Sequence, residues 1–480
     1  MLGELDRSQP RVGEQLICAL RDAIEHGRLP QGTRLPSTRD LAVDLGVSRG
    51  LVVGAYERLV AEGRLAARRG RGTVVTAQSE VNAAEPGPER PAGHGTGIPT
   101  RPSAEPAVVA LRPGVPDLGT FPRTAWRKAY ERALALAADA DLDYGDPAGA
   151  FRLRAELAAY LTRIRAARVD VDRLMITSGE TQAFALLAET LRVAGVARIG
   201  VEDPGSRAVA TRLAWHGLEP VAVAVDERGI DVAALDRAGL TTVVVTPAHQ
   251  YPTGVVLMPD RRVALLDWAR RTGSLIIEND YDAELRYDRE PVGCLQGLAP
   301  EHVMLVGSVS TTLAPALRLG WLASPRAWRA DLHRSRSLAD GGGPVLEQLA
   351  FAELLAGAAY DRHLRRMRRV LRERRSTLVT ALRRHLPSAR VGGAAAGLHL
   401  TIELPDGTDD VALATRAQAA GIGVLALSDC LLQAGGAAAP ADFADPATRN
   451  RRTGLVLGYA AQSSHELARA VRGLAHLIPG

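Results

Sequence analysis

Amines, thiols and imidazoles carry much of protein chemistry, and this chain of 480 residues uses them sparingly. Only Lys128 is a lysine, so only one side-chain amine is available for an imine with an aldehyde cofactor. Cys18, Cys294 and Cys430 stand far apart, which predicts reduced thiols. The eleven histidines show no H-E-x-x-H and no Cys/His cluster, so we predict no metal. P-loop and nucleophile-elbow motifs are absent, and a Ser–His–Asp arrangement stays open.

Residues 11–76 form a basic unit. Its pattern indicates recognition of phosphates and nucleic-acid bases instead of catalysis. Three helical stretches follow one another, and the second and third begin after the N-capping serines Ser37 and Ser48. Two short strands come next, joined by the segment Arg69-Gly70-Arg71-Gly72. Helix, turn, helix and basic hairpin together predict a winged helix-turn-helix.

This region resembles the GntR-type DNA-binding domain throughout, in G-T-R-L-P-S-T-R-D-L-A, V-S-R, A-Y-E-R-L-x-x-E-G and R-x-G-x-G-T. The resemblance implies DNA contacts at Arg34, Ser37, Arg39, Ser48, Arg49, Tyr56 and Gly72. Arg68, Arg69 and Arg71, on a glycine-rich wing, are expected to approach the DNA backbone or a minor groove. Gly50 departs from the polar residue usual there, which weakens or alters base reading. A helical hairpin used for protein contacts is the alternative.

The chain divides into three predicted parts: a winged helix at 1–76, a flexible linker at 77–106 and a second domain at 107–480. The linker is Ala, Pro, Gly, Glu and Ser with almost no large apolar residue, so it cannot bury a core. In the second domain, apolar β-branched runs alternate with helical stretches. This pattern predicts an α/β fold, a mixed and mostly parallel sheet with helices on both faces. A smaller α+β lobe is expected from about residue 359, and its Arg-rich first helix is interpreted as a solvated face rather than a second nucleic-acid site.

Six motifs of the second domain resemble, in order and spacing, those of the fold-type I, class I aminotransferase family, which binds pyridoxal phosphate (PLP). They are Y-G-D-P-x-G (144–149), I-T-S-G (176–179), V-E-D-P-G (201–205), T-P-A-H-Q-Y-P-T-G (246–254), E-N-D-Y-D-A-E-L-R-Y (278–287) and G-S-V-S-T-T-L-A-P-A-L-R-L-G (307–320). The last is most similar to the MocR-type regulators. That resemblance implies a homodimer in which a GntR-type winged helix is fused to an aminotransferase-like domain.

Four positions that the resemblance assigns to PLP contacts carry unsuitable residues. Thr311 replaces the lysine and cannot form an imine. Asn279 replaces the carboxylate that keeps the pyridine nitrogen protonated. Glu180 puts a carboxylate beside the phosphate loop, where it would repel a phosphate. Ser206 replaces the ring's aromatic neighbour. Treated as four independent losses, these changes predict no PLP imine and little or no non-covalent PLP binding.

Other polar residues of these motifs are retained: Tyr144, Ser178, Tyr251, Tyr281, Ser308 and Arg318. One interpretation is a pocket for a non-covalent effector. The other is that Tyr281 and Arg318 only hold the walls of the cleft together.

The function predicted from these features is a transcriptional regulator that is not an enzyme. It binds double-stranded operator DNA as a homodimer, and its second domain serves dimerisation and effector sensing where an effector exists. A regulator that binds PLP non-covalently and an aminotransferase fused to a DNA-binding domain are the alternatives. The net charge of +5 permits a polyanion partner without demonstrating one. No apolar run reaches the ~18 residues of a membrane span, and the polar start lacks a signal-peptide core, so we expect a cytoplasmic protein.

Overall fold

The computed structural model divides the chain into two units, Met1–Gly95 and Thr96–Gly480. It describes residues 12–68, 72–76, 111–287, 293–432 and 453–478. The predicted linker lies outside the described residues, and so do Arg69 and Arg71 in the wing. No helix in the described ranges is long and apolar enough to cross a membrane.

The first unit is the winged helix-turn-helix that the sequence predicts. Its elements are α1 (Val12–Glu25), α2 (Thr38–Leu45), α3 (Arg49–Ala61), β1 (Leu65–Arg68) and β2 (Gly72–Val75). Ser37 caps α2 by accepting a hydrogen bond from the Asp40 amide at 3.2 Å, and Gly46 ends it in the left-handed conformation that a tight turn requires. Leu16 of α1 and Leu59 of α3 are fully buried in the shared core. The strands pair antiparallel.

The second unit is built on an eight-stranded sheet among the described residues, in the order β3-β10-β9-β8-β7-β4-β5-β6. Its strands are β3 (Leu174–Thr177), β4 (Arg198–Asp203), β5 (Glu219–Asp226), β6 (Gly229–Ile230), β7 (Thr242–Val245), β8 (Leu275–Asp280), β9 (Val303–Ser308) and β10 (Gly320–Ala323). Strands β9, β8, β7, β4 and β5 run parallel, whereas β10 is antiparallel to β3 and β9, and β6 to β5. The mixed, mostly parallel sheet is confirmed.

Helices cover both faces of this sheet, which explains why strands such as β7 and β9 are buried at every position. They are α4 (Arg123–Leu136), α5 (Phe151–Arg165), α6 (Glu180–Val193), α7 (Arg207–Trp215), α8 (Val232–Arg237), α9 (Pro259–Thr272), α10 (Arg329–Ala339) and α11 (Val345–Ala356). Helices α6 and α7 pack in one apolar core, and α8 and α9 in another on different sheet residues.

A smaller α+β part follows, as predicted. It begins with the long helix α12 (Ala359–His385) and contains α13 (Asp410–Ala419), α14 (Ser464–Ala475), β11 (Arg390–Val391), β12 (His399–Glu403), β13 (Leu425–Ala426) and β14 (Gly454–Gly458). Its four strands pair antiparallel in the order β11-β12-β14-β13. Helix α12 has an apolar stripe, in which Leu364, Met367 and Leu371 are buried and Val370 is half-buried.

Candidate DNA-binding surface and ligand cleft

Three of the arginines expected to contact DNA have no ionic partner within the winged helix. Arg34, Arg39 and Arg49 are exposed, and none forms an ion pair with a described residue. The guanidinium of Arg34 lies against Gly72, where a side chain would come within 3.1 Å of its Nε. Gly72 has a φ of 79°, so the wing needs glycine there for both space and conformation.

Other arginines of the same domain are paired. Arg21 lies 2.7 Å and Arg58 3.3 Å from Glu62, and Arg64 lies 2.5 Å from Glu25. The exposed arginines at the positions implied to bind DNA thus form no ion pair with a described residue, as is also true of Arg28, and a phosphate or a base edge can take the place of a carboxylate there.

The two serines act as helix caps. Ser48 Oγ accepts a hydrogen bond from the Leu51 amide at 3.4 Å and is exposed at the N-terminus of α3. Ser37 Oγ donates to Asp40 Oδ2 at 2.7 Å, so its proton is already used. Ser48 is thus the serine better placed to donate to a DNA phosphate.

Tyr56 requires a correction. Its side chain is 4% exposed in the domain core, and its hydroxyl donates to the Pro36 carbonyl at 3.0 Å. Burial raises the pKa of this hydroxyl to about 12. The residue therefore fixes the turn before α2 and is not a surface contact for DNA. Of the wing residues, Arg68 ends β1.

The predicted cofactor motifs meet at one edge of the large sheet. Strands β3, β4, β7, β8 and β9 point the same way, and the loops after them carry those motifs. Ligands of open α/β sheets bind at this carboxyl edge. The candidate ligand cleft, defined by Ser178, Glu180, Ser206, Asn279, Tyr281, Ser308, Thr311 and Arg318, lies there.

Thr311 follows β9 and faces inward rather than offering a reactive group. Its Oγ1 donates a hydrogen bond to the Tyr281 carbonyl at 2.7 Å. The only lysine of the chain, Lys128, is exposed on α4. A threonine hydroxyl in this bond ties the loop after β9 to the end of β8.

Glu180 and Asn279 are hydrogen-bonded to each other. Asn279 Nδ2 donates to Glu180 Oε1 at 3.0 Å and so joins the first turn of α6 to the end of β8. Burial raises the pKa of Glu180, and Arg212 and Asn279 offset part of that rise. Asn279 Oδ1 is buried and has no hydrogen-bond partner among the described residues. The two substitutions are therefore coupled, and their treatment as independent losses is corrected.

The loop that would hold a phosphate is occupied by side chains of the chain itself. The Ser178 amide donates to Gln182 Oε1 at 2.7 Å, and Arg318 donates to the Ser178 carbonyl. Gln182 Nε2 in turn donates to Asp340 Oδ2 at 2.5 Å. The Ser178 N–H group, which could otherwise attract an anion, is therefore already hydrogen-bonded to Gln182.

Two serines of the cleft bond only to nearby backbone. Ser206, where an aromatic residue was expected, caps α7 by accepting from the Val209 amide at 3.4 Å. Ser308 Oγ accepts from the Ser310 amide at 3.4 Å. Neither contact recruits a side chain from another element.

Two of the retained tyrosines, Tyr251 and Tyr281, are half-buried and pack with two buried histidines. The Tyr281 hydroxyl donates to the His249 carbonyl at 3.0 Å, and His249 Nδ1 lies 2.8 Å from Asp282 Oδ2. Tyr251 packs edge-on against Tyr281 and His399, at 6.2 and 5.2 Å between ring centres. Burial raises the pKa of Tyr281 far above its usual value and lowers that of His399 to about 3. These contacts favour the interpretation that Tyr281 holds the cleft walls.

His249, Asp282 and His399 bring one potential ligand atom each within 4.8 Å of one another. The sequence gave no metal spacing because these residues come from three separate segments. His249 is already bonded to Asp282, and His399 Nε2 to the Pro252 carbonyl at 3.2 Å. Hydrogen bonding accounts for the cluster, and the absence of a metal stays a prediction.

Asp280, the carboxylate next to Asn279, belongs to a different buried contact. It receives two hydrogen bonds from Arg165 of α5, at 2.7 and 3.2 Å. Arg165 is 1% exposed. Asp280 therefore could not turn to another partner without leaving a buried guanidinium unpaired.

Tyr144 is not brought to the cleft. Its side chain is fully exposed, in a segment with two other exposed apolar residues, Leu142 and Phe151. The sequence reasoning also missed Gln182, Arg212, His249, Asp282 and His399. His249 and Asp282 stood inside the quoted motifs, whereas Arg212 and His399 had no local pattern to mark them.

A basic winged helix and an aminotransferase-type fold with a cleft at its carboxyl edge define a regulator of composite architecture. Residues 12–75 match the family model of bacterial regulatory proteins of the gntR family, and residues 107–434 match aminotransferase class I and II. The chain belongs to the helix-turn-helix transcriptional regulators of the MocR type.

Two relatives show this membership. The pyridoxine biosynthesis transcriptional regulator PdxR of Corynebacterium glutamicum is 35% identical over 87% of this chain and 88% of its own. The probable rhizopine catabolism regulatory protein MocR of Rhizobium meliloti is 31% identical over 86% of each chain. The kynurenine aminotransferase of Pyrococcus horikoshii matches 78% of this chain and 91% of its own, with a TM-score of 0.68 and 23% identity, which shows the shared fold alone.

Proposed function

We propose that this regulator binds operator DNA without carrying PLP and without catalysing transamination. The supporting observation is the bond between Glu180 and Asn279, because it uses the two polar groups that stand where a phosphate and a pyridine nitrogen would need partners. PLP also needs an amine, and Thr311 supplies a hydroxyl that is bonded to the Tyr281 carbonyl. The residues of the cleft do not fit the cofactor.

The test uses full-length protein mixed with PLP, reduced with borohydride and examined by absorbance and mass spectrometry. We expect no long-wavelength imine band and no trapped pyridoxyl group. The Lys128→Arg variant is the matched control, since it removes the only side-chain amine. A stoichiometric adduct in the unchanged protein that is lost in Lys128→Arg would contradict the proposal, because it would show that the chain carries PLP on its one lysine.

A second candidate function is regulation by non-covalent PLP. It is favoured by the 35% identity to a relative named for pyridoxine biosynthesis. Calorimetry with millimolar PLP separates the two when the cleft variant Arg318→Gln is measured beside the unchanged protein, because saturable binding without imine formation that is lost in this variant would support only this second candidate.

The regulator is further proposed to act as a homodimer, in which two winged helices bind two half-sites of an operator. The exposed apolar segment with Leu142, Tyr144 and Phe151 is consistent with a covered surface. An effector would act by shifting the population of dimer arrangements. Sedimentation of the full chain, alone and with operator DNA, checks the dimer.

A further inference from the structure

A groove of about 500 Å³ lies beside the Arg-rich helix α12, and none of the residues that define the cleft lines it. One wall is a face of the helix, and the other consists of Tyr287 and Ala395. The helical wall is formed by Arg372, Arg375, Ser376, Val379, Thr380 and Arg383. Their spacing of three, four, seven, eight and eleven residues places them on one side of the helix.

The three arginines of this groove differ from others on the same helix in their partners. Arg374 forms an ion pair with Asp117 at 2.7 Å, whereas no described carboxylate forms an ion pair with Arg372, Arg375 or Arg383. Arg372 donates two hydrogen bonds to the Tyr287 carbonyl, from Nε at 3.2 Å and from one terminal nitrogen, so its remaining N–H groups are the ones left for a ligand. Arg375 Nε is buried and has no hydrogen-bond partner among the described residues. Such a donor is costly to leave unsatisfied.

The rest of the lining is suited to the body of a small molecule. Val379 and Ala395 are apolar, the Tyr287 side chain is 5% exposed, and Ser376 and Thr380 add two hydroxyl groups. A volume of about 500 Å³ falls within the ~300–1,000 Å³ range of small-molecule sites. Guanidinium groups bind phosphate through paired N–H donors.

We propose that the groove between α12 and the Tyr287–Ala395 wall binds a small phosphate ester with an apolar or aromatic body. Three guanidinium groups match the two negative charges of a phosphate ester better than the one negative charge of a carboxylate ligand. A small molecule fits better than a DNA backbone because the groove is concave and partly apolar. This second ligand site is independent of whether the cleft binds PLP.

Calorimetry of the full-length protein with phenyl phosphate tests the proposal. We expect saturable binding that falls about tenfold or more in Arg375→Gln and in Arg383→Gln, since a charge-assisted hydrogen bond is worth ~1.5–3 kcal/mol. Arg384→Gln is the matched control: Arg384 is exposed on the same helix and does not line the groove. The Arg384→Gln variant should bind phenyl phosphate as tightly as the unchanged protein does.

Arg383 is exposed, so its variant should fold even if Arg375→Gln does not. Absence of saturation in the unchanged protein overturns the proposal, and so does an equal loss in Arg384→Gln, which would indicate general charge attraction. The last experiment uses an unrelated DNA duplex as a competitor of phenyl phosphate. If the duplex displaces phenyl phosphate and itself binds less well to the Arg383 variant, the groove is a DNA contact and the small-ligand assignment is wrong.

Discussion

Arg34, Arg39 and Arg49 of the winged helix lie exposed and form no ion pair with a described residue, whereas most polar side chains of the cleft are bonded to the chain itself. The exceptions in the cleft are Asn279 Oδ1, which has no hydrogen-bond partner among the described residues, and the exposed Arg318, which forms no ion pair with one. Because an unpaired exposed cation costs little in water and an unpaired buried group costs much, the difference separates a surface that can take a partner from a cleft whose polar groups are mostly bonded within the chain.

The largest expected effect comes from rebuilding the cofactor site. Thr311→Lys alone should form no tight imine with PLP, because Glu180, Asn279 and Ser206 remain. Combining it with Asn279→Asp, Glu180→Ser and Ser206→Tyr should produce a borohydride-trapped adduct. Tight imine formation by the single variant would show that the other three positions do not control cofactor binding.

Arg49→Ala is expected to weaken operator binding by about tenfold or more, since a specific base or phosphate contact is worth ~1–3 kcal/mol. If the lost contact is to a phosphate, the salt slope should fall by about 1. Arg71→Ala should act in the same direction. Arg58→Ala is the control because Arg58 is paired with Glu62 at 3.3 Å. Equal loss in that variant would argue against a DNA surface made of unpaired arginines.

Buried carboxylates should make the second unit sensitive to pH. Burial raises the pKa of Glu202 from 4.5 to about 7 in the folded protein. Its protonated form is therefore favoured by folding, and that stabilisation is present below pH 4.5 and lost as pH rises to 7. At ~1.4 kcal/mol per unit, the loss is about 3 kcal/mol.

Glu202→Gln should remove this part of the loss of stability with rising pH, since an amide oxygen can still accept hydrogen bonds from Thr246 and Gln250. All five tryptophans lie beyond residue 107, so their fluorescence during denaturation reports on the second unit. The exposed Glu131→Gln is the control. An unchanged decline in Glu202→Gln would assign the pH sensitivity to other groups.

Tyr56→Phe should have the smallest effect. It removes the hydroxyl bond to the Pro36 carbonyl, worth ~1 kcal/mol of winged-helix stability. Operator affinity below the melting temperature should change little, as hydrogen exchange and binding measurements can show. A loss as large as that of Arg49→Ala would return Tyr56 to the DNA surface.

Local signals in the sequence were enough for the elements of both units. The strands Leu174–Thr177 and His399–Glu403 lie on short runs rich in apolar and β-branched residues, and Ser37 and Ser48 cap the helices that follow them. Continuous apolar runs and capping residues act over a few positions, so a single sequence contains them.

Contacts between distant residues could not be predicted in the same way. Glu180 and Asn279 are 99 residues apart in the chain, and Asp280 is hydrogen-bonded to Arg165, which is 115 residues away. No feature of the sequence near either residue shows that the two residues contact each other. Tyr56 is different: it continues a buried face with Val52, Ala55 and Leu59 at helical spacing, a pattern typical of a core position.

The bond between Glu180 and Asn279 also restricts how descendants of this chain can change. An aspartate restored first at position 279 would set two carboxylates side by side in a poorly hydrated place. A change at Glu180 first would leave the amide with neither of its ends bonded. Each single change is expected to cost stability, so the bonded pair disfavours a conversion of this place into one that fits PLP by one mutation at a time.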